Sequence, residues 1–231
     1  FKGGSGPGIP GLMSGEISMK PIGVVESCFG EKFGTPRQSG MVESACGRIV
    51  FSDEVDDEAC RGLEEFSHLW LVFLFDQVDE EEARWLVRPP RLGGNKKKGV
   101  FATRSPFRPN RIGLSLVKFE SIGEGSLEVS GLDLVDGTPI LDVKPYLPYV
   151  ESVPDAKGGF AETAPVRMEV VFQFDDLEGG DRRLISEALS LDPRPAYHDD
   201  PERIYGCLLA GYEVKWRAEE GKIKVLSAAR A

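Results

Sequence analysis

Residues 84–118 contain ten Lys or Arg residues and no Asp or Glu, although the whole chain has a net charge of −10. The rest of the chain contains 18 basic and 38 acidic residues. Guanidinium and ammonium groups both bind phosphate oxygens, so a concentrated basic segment in an acidic protein indicates an anionic partner. A solvated basic loop without a function is the alternative that a run of charge leaves open.

Part of this basic segment looks rigid. Residues 102–110 read ATRSPFRPN and combine two arginines with two prolines. Proline fixes φ, so the guanidinium groups are held at a reduced entropic cost. Three further stretches bring polar groups into loops or to strand ends: KFGTPRQ at 32–38, HLW at 68–70 and LDLVDGTP at 132–139. A lone His68 is more often a core residue than a ligand contact, and an Asp-Gly turn needs no function.

Short apolar runs separated by Gly and Pro predict a mainly β fold, built as a barrel or a sandwich. Strands are predicted at 22–26, 47–51, 69–75, 113–120, 126–132 and 139–143. The uninterrupted apolar run at 69–75 is typical of a strand buried on both faces. Acidic residues followed by apolar residues at helical spacing predict a helix over 53–66.

Two domains are expected. A stretch rich in Pro and Gly at 144–164 indicates a linker or an ordered crossing loop. Beyond it, the sequence predicts a strand at 168–174, a helix at 182–190, and a hairpin formed by 207–218 and 222–227. We therefore expect a β-barrel domain over 19–160 and a small α+β domain over 161–231. Residues 1–18 resemble a vector-derived tail, whose GPGIPG string lacks the strand and helix of a dinucleotide site.

The cysteines and histidines limit the possible chemistry. The cysteines are Cys28, Cys46, Cys60 and Cys207. They form no CxxC pair, and His68 and His198 are too few for a zinc site at normal ligand spacing, so we expect no metal. Free thiols in a reducing compartment are the simplest account, which favours a cytoplasmic location. No apolar run reaches the ~20 residues that span a bilayer.

Five strings carry a family resemblance: KFGTPRQ, EEFSHLWLVFLF, RPPRLGGNKKKGVFATRSPFRPNRIGLSLV, LDLVDGTPILDVKPYLPY and DPRPAY. From about Ile22 to the C-terminus, the sequence resembles the TrmO family, also called YaeB or TsaA-like. The resemblance implies a β-barrel tRNA methyltransferase without a Rossmann sheet. Its cofactor would be S-adenosylmethionine, and its target would be N6 of threonylcarbamoyl-adenosine at position 37, beside the anticodon. The resemblance also implies a homodimer with each cofactor pocket near the subunit interface.

The same resemblance places the cofactor among four segments. The implied residues are Pro36, Arg37, Gln38, His68, Leu69, Arg104, Leu114, Asp133, Leu134, Val135, Asp136 and Gly137. Either Arg37 or Arg104 is expected to hold the methionine carboxylate by a bidentate fork. A backbone edge in the 133–136 loop is expected to read the adenine, and Asp136 is a candidate weak base. Lys144 and Tyr146 are candidates for holding the flipped nucleotide, by charge and by stacking.

Seven residues of the basic segment are candidates for contacts with tRNA phosphates: Arg88, Arg91, Lys96, Lys97, Lys98, Arg108 and Arg111. The target base lies in a loop, so it can be splayed out without breaking a duplex. Two other functions stay open. A non-enzymatic S-adenosylmethionine-binding sensor would use the same pocket, and a plain RNA-binding β-barrel would use the basic surface without any cofactor.

Overall fold

The computed structural model describes residues 17–90, 96–177, 179–195 and 200–231. Its strands are β1 (Gly23–Ser27), β2 (Cys46–Phe51), β3 (His68–Leu74), β4 (Leu86–Val87), β5 (Lys98–Gly99), β6 (Ile112–Gly123), β7 (Ser126–Ser130), β8 (Pro139–Pro145), β9 (Glu169–Phe172), β10 (Tyr205–Leu209), β11 (Tyr212–Glu219) and β12 (Lys222–Arg230). Its α-helices are α1 (Pro148–Glu151) and α2 (Gly179–Ser190). Short 3-10 helices span Asp57–Cys60, Leu63–Glu65, Glu80–Glu82, Val100–Ala102 and Gly159–Ala161. Most of the expected tail at 1–18 lies outside the described residues.

Six antiparallel strands close a barrel in the order β1-β2-β7-β6-β3-β8. Alternate residues of each strand fill its interior, as Leu69, Leu71 and Phe73 of β3 do. The intervening residues of β3, among them His68 and Trp70, are half-buried on the outer face. The expected mainly β fold with a barrel is confirmed. The prediction that 69–75 is buried on both faces is wrong, because a strand of an antiparallel barrel turns only one face to the core.

The longest strand of the barrel, β6, has a partly open edge. It pairs with β3 from Ile112 to Lys118, but it pairs with β7 only from Lys118 onward. The edge at 112–117 is therefore left for loops to cover. Ser39 does so by accepting a hydrogen bond at Oγ from the Leu116 N–H, at 3.1 Å. Loops that are distant in the sequence meet at this edge.

The segment between β2 and β3 differs from the prediction. Two 3-10 helices, Asp57–Cys60 and Leu63–Glu65, replace the single helix expected over 53–66. Gly62 separates them in the left-handed region, with φ of 89°. An α-helix does not continue through that conformation, so the helix prediction is wrong.

The C-terminal residues form a sheet in the order β10-β11-β12-β9, in which β9 runs parallel to β12. Helix α2 buries Leu184, Ile185 and Leu189, and its position confirms the helix expected at 182–190. The prediction of one continuous strand over 207–218 is wrong. The chain reverses at Ala210 and Gly211, whose φ values are 52° and 74°.

The barrel and the C-terminal sheet share one apolar core. The ring of Phe33, from a barrel loop, stacks on Trp216 with centroids 6.2 Å apart. Phe29 forms a β-bridge with Leu209, and the Ala210 N–H donates to the Cys28 carbonyl at 2.9 Å. These contacts attach the C-terminal sheet to the barrel, and the Ser44 N–H and hydroxyl donate to Glu187 of α2 at 3.0 and 2.9 Å.

Candidate functional site

A polar cluster lies at the open edge of β6 and consists of Gln38, Ser39, Arg104, Ser115 and Asp133. Ser115 Oγ donates to Asp133 Oδ1 at 2.5 Å. The backbone of Ser39 also hydrogen-bonds the Asp133 carboxyl, and the charge of Arg104 acts on it. The Arg104 guanidinium donates to the side-chain carbonyl of Gln38. Three separate segments of the chain thus converge on the carboxylate of a fourth.

Burial dominates the electrostatics of Asp133. Desolvation raises the pKa of this carboxyl to about 6, although the bonds from Ser115 and Ser39 and the charge of Arg104 lower it. At neutral pH the group is therefore ionised in surroundings that solvate it poorly. Such a carboxylate favours a cationic ligand, which would restore its lost solvation.

The open edge also presents backbone groups. In an antiparallel pair, alternate residues direct their N–H and C=O groups to opposite sides of the strand. The N–H of Leu116 points away from β3, toward Ser39. The N–H and carbonyl of Leu114 therefore face the same open edge. A planar heterocycle with donors and acceptors along one side would fit there.

A cleft of about 1230 Å³ extends from the polar cluster across the outer face of the barrel. Its barrel wall includes Ser39, Arg104, Leu116, His68 and Trp70. Its opposite wall is formed by α2 through Gly180, Arg183 and Leu184. The cleft therefore lies between the barrel and the C-terminal unit, and both contribute to it.

An aromatic cluster, formed by His68, Trp70 and Tyr146, borders this cleft. The Tyr146 ring meets His68 and Trp70 edge-on, with centroids 6.3 and 6.2 Å away. The indole N–H of Trp70 donates to Glu151 Oε1 at 2.8 Å, which fixes the ring. Lys144 lies opposite Trp70 in the β3–β8 ladder. Trp70 was not predicted as a site residue, although its alternation with buried Leu69 and Leu71 marks an outward position.

Two family matches cover most of the chain. Residues 24–152 match the tRNA-methyltransferase O N-terminal domain, and residues 161–231 match the TrmO C-terminal domain. The chain belongs to the TrmO family.

Similar proteins are found in several organisms. The tRNA (adenine(37)-N6)-methyltransferase of Escherichia coli K12 is 45% identical over 228 residues, covering 91% of this chain and 97% of that protein. A protein of Methanothermobacter thermautotrophicus, named as a probable S-adenosyl-L-methionine-binding protein, is 38% identical over 60% of this chain and 96% of its own length. The crystal structure of TrmO from P. aeruginosa superposes with a TM-score of 0.79, at 36% identity, covering 95% of this chain and all of that one.

Several residues that the TrmO resemblance implied for the cofactor meet at the open edge. Gln38, Arg104 and Asp133 belong to the polar cluster, Leu114 lies on the edge itself, and His68 lies along the cleft. Buried Pro36 anchors the loop before Gln38, and Leu69 lies in the barrel interior behind the site. Ser39 and Ser115 were not assigned from the sequence, because their role depends on which strand edge is open.

Other implied TrmO cofactor residues lie apart from the cluster. The Arg37 side chain is exposed. Carbonyls of the loop after β7 are already bonded, since Ser27 Oγ donates to Leu134 at 2.7 Å and Thr138 Oγ1 donates to Val135 at 2.6 Å. Asp136 Oδ1 accepts from the Ser27 N–H at 2.9 Å. The hollow beside it, of about 670 Å³, also contains Glu26, Arg48 and Glu128 and excludes the polar cluster. Gly137 completes the turn with φ of 78°.

The basic residues fall into two groups. Arg88, Lys96 and Lys97 are exposed, and Lys98 is half-buried. By contrast, Arg108 Nη1 donates to the Thr103 carbonyl at 3.1 Å, and Arg111 Nη1 donates to the Val78 carbonyl at 2.6 Å. These two guanidinium groups therefore help to hold their own loops in shape. Arg91 lies outside the described residues.

Neither a metal-binding group nor a membrane span is present in the part of the chain that the structure describes. No three His, Cys, Asp or Glu side chains of those residues come together as metal ligands. Within the same ranges, no helix is long and apolar enough to cross a membrane.

Proposed function

We propose that this TrmO-family chain is an S-adenosylmethionine-dependent tRNA methyltransferase that acts on N6 of adenosine 37. We further propose that the substituent already present on that nitrogen is threonylcarbamoyl. The observation that carries the proposal is one cleft that joins the polar cluster to the aromatic cluster. When bound, S-adenosylmethionine supplies a methyl group activated by its sulfonium.

The polar cluster suits this cofactor in charge. Arg104 would bind the methionine carboxylate, and ionised Asp133 would face a positively charged group of the ligand. The Leu114 backbone edge would read the adenine. Each group is positioned before binding, because Gln38 holds Arg104 and Ser115 holds Asp133. Such preorganisation, together with exclusion of water, is what an in-line methyl transfer requires of a protein.

The aromatic cluster suits the tRNA base. Tyr146 would stack on the splayed adenine, while Trp70 supports the Tyr146 ring and Lys144 supplies charge for a phosphate. A carbamoyl carbonyl makes the N6 proton more acidic, so a weak base suffices. Asp136 serves as that base only if the turn at 133–137 moves, because its carboxylate is bound to the Ser27 backbone.

The resemblance also supports a homodimer, and the free cysteines favour a cytoplasmic location, as parts of this proposal. The side chains of Trp85 and Phe101 are 72% and 74% exposed, with ring centroids 6.3 Å apart. A second copy of the chain would cover such a pair.

The activity is tested by incubating the protein with tRNA and S-adenosylmethionine and then digesting the tRNA to nucleosides. N6-methylated threonylcarbamoyl-adenosine is the expected product. A methyl group on another nucleoside would contradict the proposal. Cofactor binding without any methylated product would favour the sensor instead.

Replacing Tyr146 with Ala is expected to lower kcat/KM for tRNA by about 5- to 100-fold, the value of one stacked base. Tyr146→Phe keeps the ring and is expected to retain most of the rate. Neither variant should change the Kd for S-adenosylmethionine, which calorimetry measures. Equal losses in the two variants would assign the effect to the hydroxyl and would rule out stacking.

Replacing Lys96, Lys97 and Lys98 together with Ala is expected to flatten the log–log salt dependence of tRNA binding by up to ~2 units, because each phosphate contact contributes roughly 0.7–0.9. A matched control replaces Lys20, Lys157 and Lys215, which changes the net charge equally. The control should keep the wild-type slope in filter-binding measurements. If the salt dependence of tRNA binding has the same slope in both triple variants, the basic segment is a solvated loop that does not contact tRNA.

A further inference from the structure

Cys28 and Cys46 both lie next to the last pair of the β1–β2 ladder. The register pairs Glu26 with Arg48 and ends with Ser27 opposite Gly47, so Cys28 follows one member of the last pair and Cys46 precedes the other. Opposite residues of an antiparallel pair project from the same face. Glu26 and Arg48, two residues earlier, do so and form an ion pair at 2.6 Å.

Both thiols border the same spaces. Cys28 and Cys46 line the large cleft between the barrel and α2, and both also line the smaller hollow beside Asp136. They are close enough to interact electrostatically. Two side chains that interact electrostatically and line the same two cavities are near neighbours, and both cavities give small molecules access to them.

The two thiols differ in accessibility. Cys46 is exposed, whereas Cys28 is half-buried. Burial raises the pKa of the Cys28 thiol to about 12, so it stays protonated at neutral pH. The guanidinium of Arg183, on α2, lies within electrostatic range of Cys46. An oxidant in the cleft therefore meets Cys46 first. Cys60 and Cys207 are buried.

We propose that Cys28 and Cys46 form a disulfide when the protein meets a peroxide, and that a dithiol reverses it. The Cys46 sulfur attacks one peroxide oxygen, the O–O bond breaks, and water leaves when the oxidant is hydrogen peroxide. The product is a sulfenic acid on Cys46. The Cys28 sulfur then attacks the Cys46 sulfur, so that an S–S bond forms and the S–O bond breaks. The departing hydroxide takes the Cys28 proton as water, and two electrons have passed from the thiols to the peroxide.

The position of the pair gives the bond a structural consequence. The Cys28 carbonyl accepts the Ala210 N–H, and Phe29 bridges to Leu209, so the end of β1 is already attached to the C-terminal sheet. A link from Cys28 to Cys46 would attach β2 to the same point. The wall of the cleft between barrel and C-terminal sheet would then be covalently fixed. The oxidation itself uses none of the residues assigned to methyl transfer.

Peptide mapping tests the proposal on the full, reduced chain. Trypsin cleaves after Lys32 and Arg37, between the two cysteines, so a disulfide joins two otherwise separate peptides. After hydrogen peroxide treatment and alkylation of free thiols, mass spectrometry should find the two peptides joined. The mass of the joined product should be lower than the summed masses of the two free peptides by the mass of two hydrogen atoms. Dithiothreitol should release them.

Matched variants make the test decisive. Cys46→Ser, at an exposed position, should leave the melting temperature unchanged and leave Cys28 open to alkylation after peroxide. Cys60→Ser should keep the joined peptides. Oxidation of Cys46 to a sulfinic acid while Cys28 stays reduced would overturn the proposal. A Cys46–Cys46 link between two chains, seen as a doubled mass on a non-reducing gel, would also overturn it.

Discussion

Replacing Arg104 with Ala is expected to weaken S-adenosylmethionine binding by about 10- to 150-fold, because a charge-assisted hydrogen bond to a carboxylate contributes about 1.5–3 kcal/mol. The guanidinium lies at the open edge of β6, where it donates a hydrogen bond to Gln38 and its charge acts on the Asp133 carboxyl. Isothermal titration calorimetry at neutral pH measures the change directly.

Arg37→Ala is the matched comparison, because Arg37 was the alternative partner for the carboxylate. Both arginines are exposed, but it is Arg104 that bonds to Gln38 and acts on Asp133. Its affinity for the cofactor should stay near that of the wild type. Arg88→Ala, far from the cluster in the sequence, should also leave it unchanged. A large loss of cofactor affinity in Arg37→Ala, together with a small loss in Arg104→Ala, would reverse the assignment of the two arginines.

The affinity for S-adenosylmethionine is expected to fall as the pH drops below about 6, approaching a tenfold loss per pH unit. The cause is Asp133. Burial raises the pKa of its carboxyl group to about 6, so the group takes up a proton in this range. A neutral carboxyl no longer favours a cationic ligand. Asp133→Asn should bind weakly at every pH and lose most of this pH dependence.

The stability of the free protein separates this binding effect from misfolding. The pKa of Asp133 is higher in the folded protein than in the unfolded chain. Its contribution to the free energy of unfolding is therefore fully present below the unfolded pKa and is lost as the pH rises through about 6. Asp133→Asn should therefore melt at or above the wild-type temperature at pH 7. A cofactor affinity that shows the same pH dependence in wild type and Asp133→Asn would remove Asp133 from the binding site.

Much of the scaffold could be predicted from the sequence, since strand alternation and Gly-rich turns are local signals. The helix expected over 53–66 failed because Gly62 adopts a left-handed conformation that apolar spacing does not reveal. The strand expected over 207–218 failed for a similar reason. Ala210 and Gly211 both turn with positive φ, and Ala carries no turn signal.

The site was predictable only in part. The resemblance pointed to Gln38, Arg104 and Asp133, and the structure brings them together. It did not point to Ser39 or Ser115. Ser115 resembles any interior strand residue until β6 is seen to extend beyond its pairing with β7. Which backbone edge stays open is decided by strand pairing between distant segments, and local pattern carries no such information.

One cleft is proposed to hold both the methyl donor and the substituted adenosine. This proposal is tested most directly by measuring transfer of a labelled methyl group to tRNA that bears threonylcarbamoyl at adenosine 37 and to the same tRNA lacking it. Wild-type protein should label the substituted tRNA, label the unsubstituted tRNA far more slowly, and lose the first reaction in Arg104→Ala. Equal labelling of both tRNAs would contradict the proposed substrate. No labelling of either, with the cofactor bound, would contradict the methyltransferase itself.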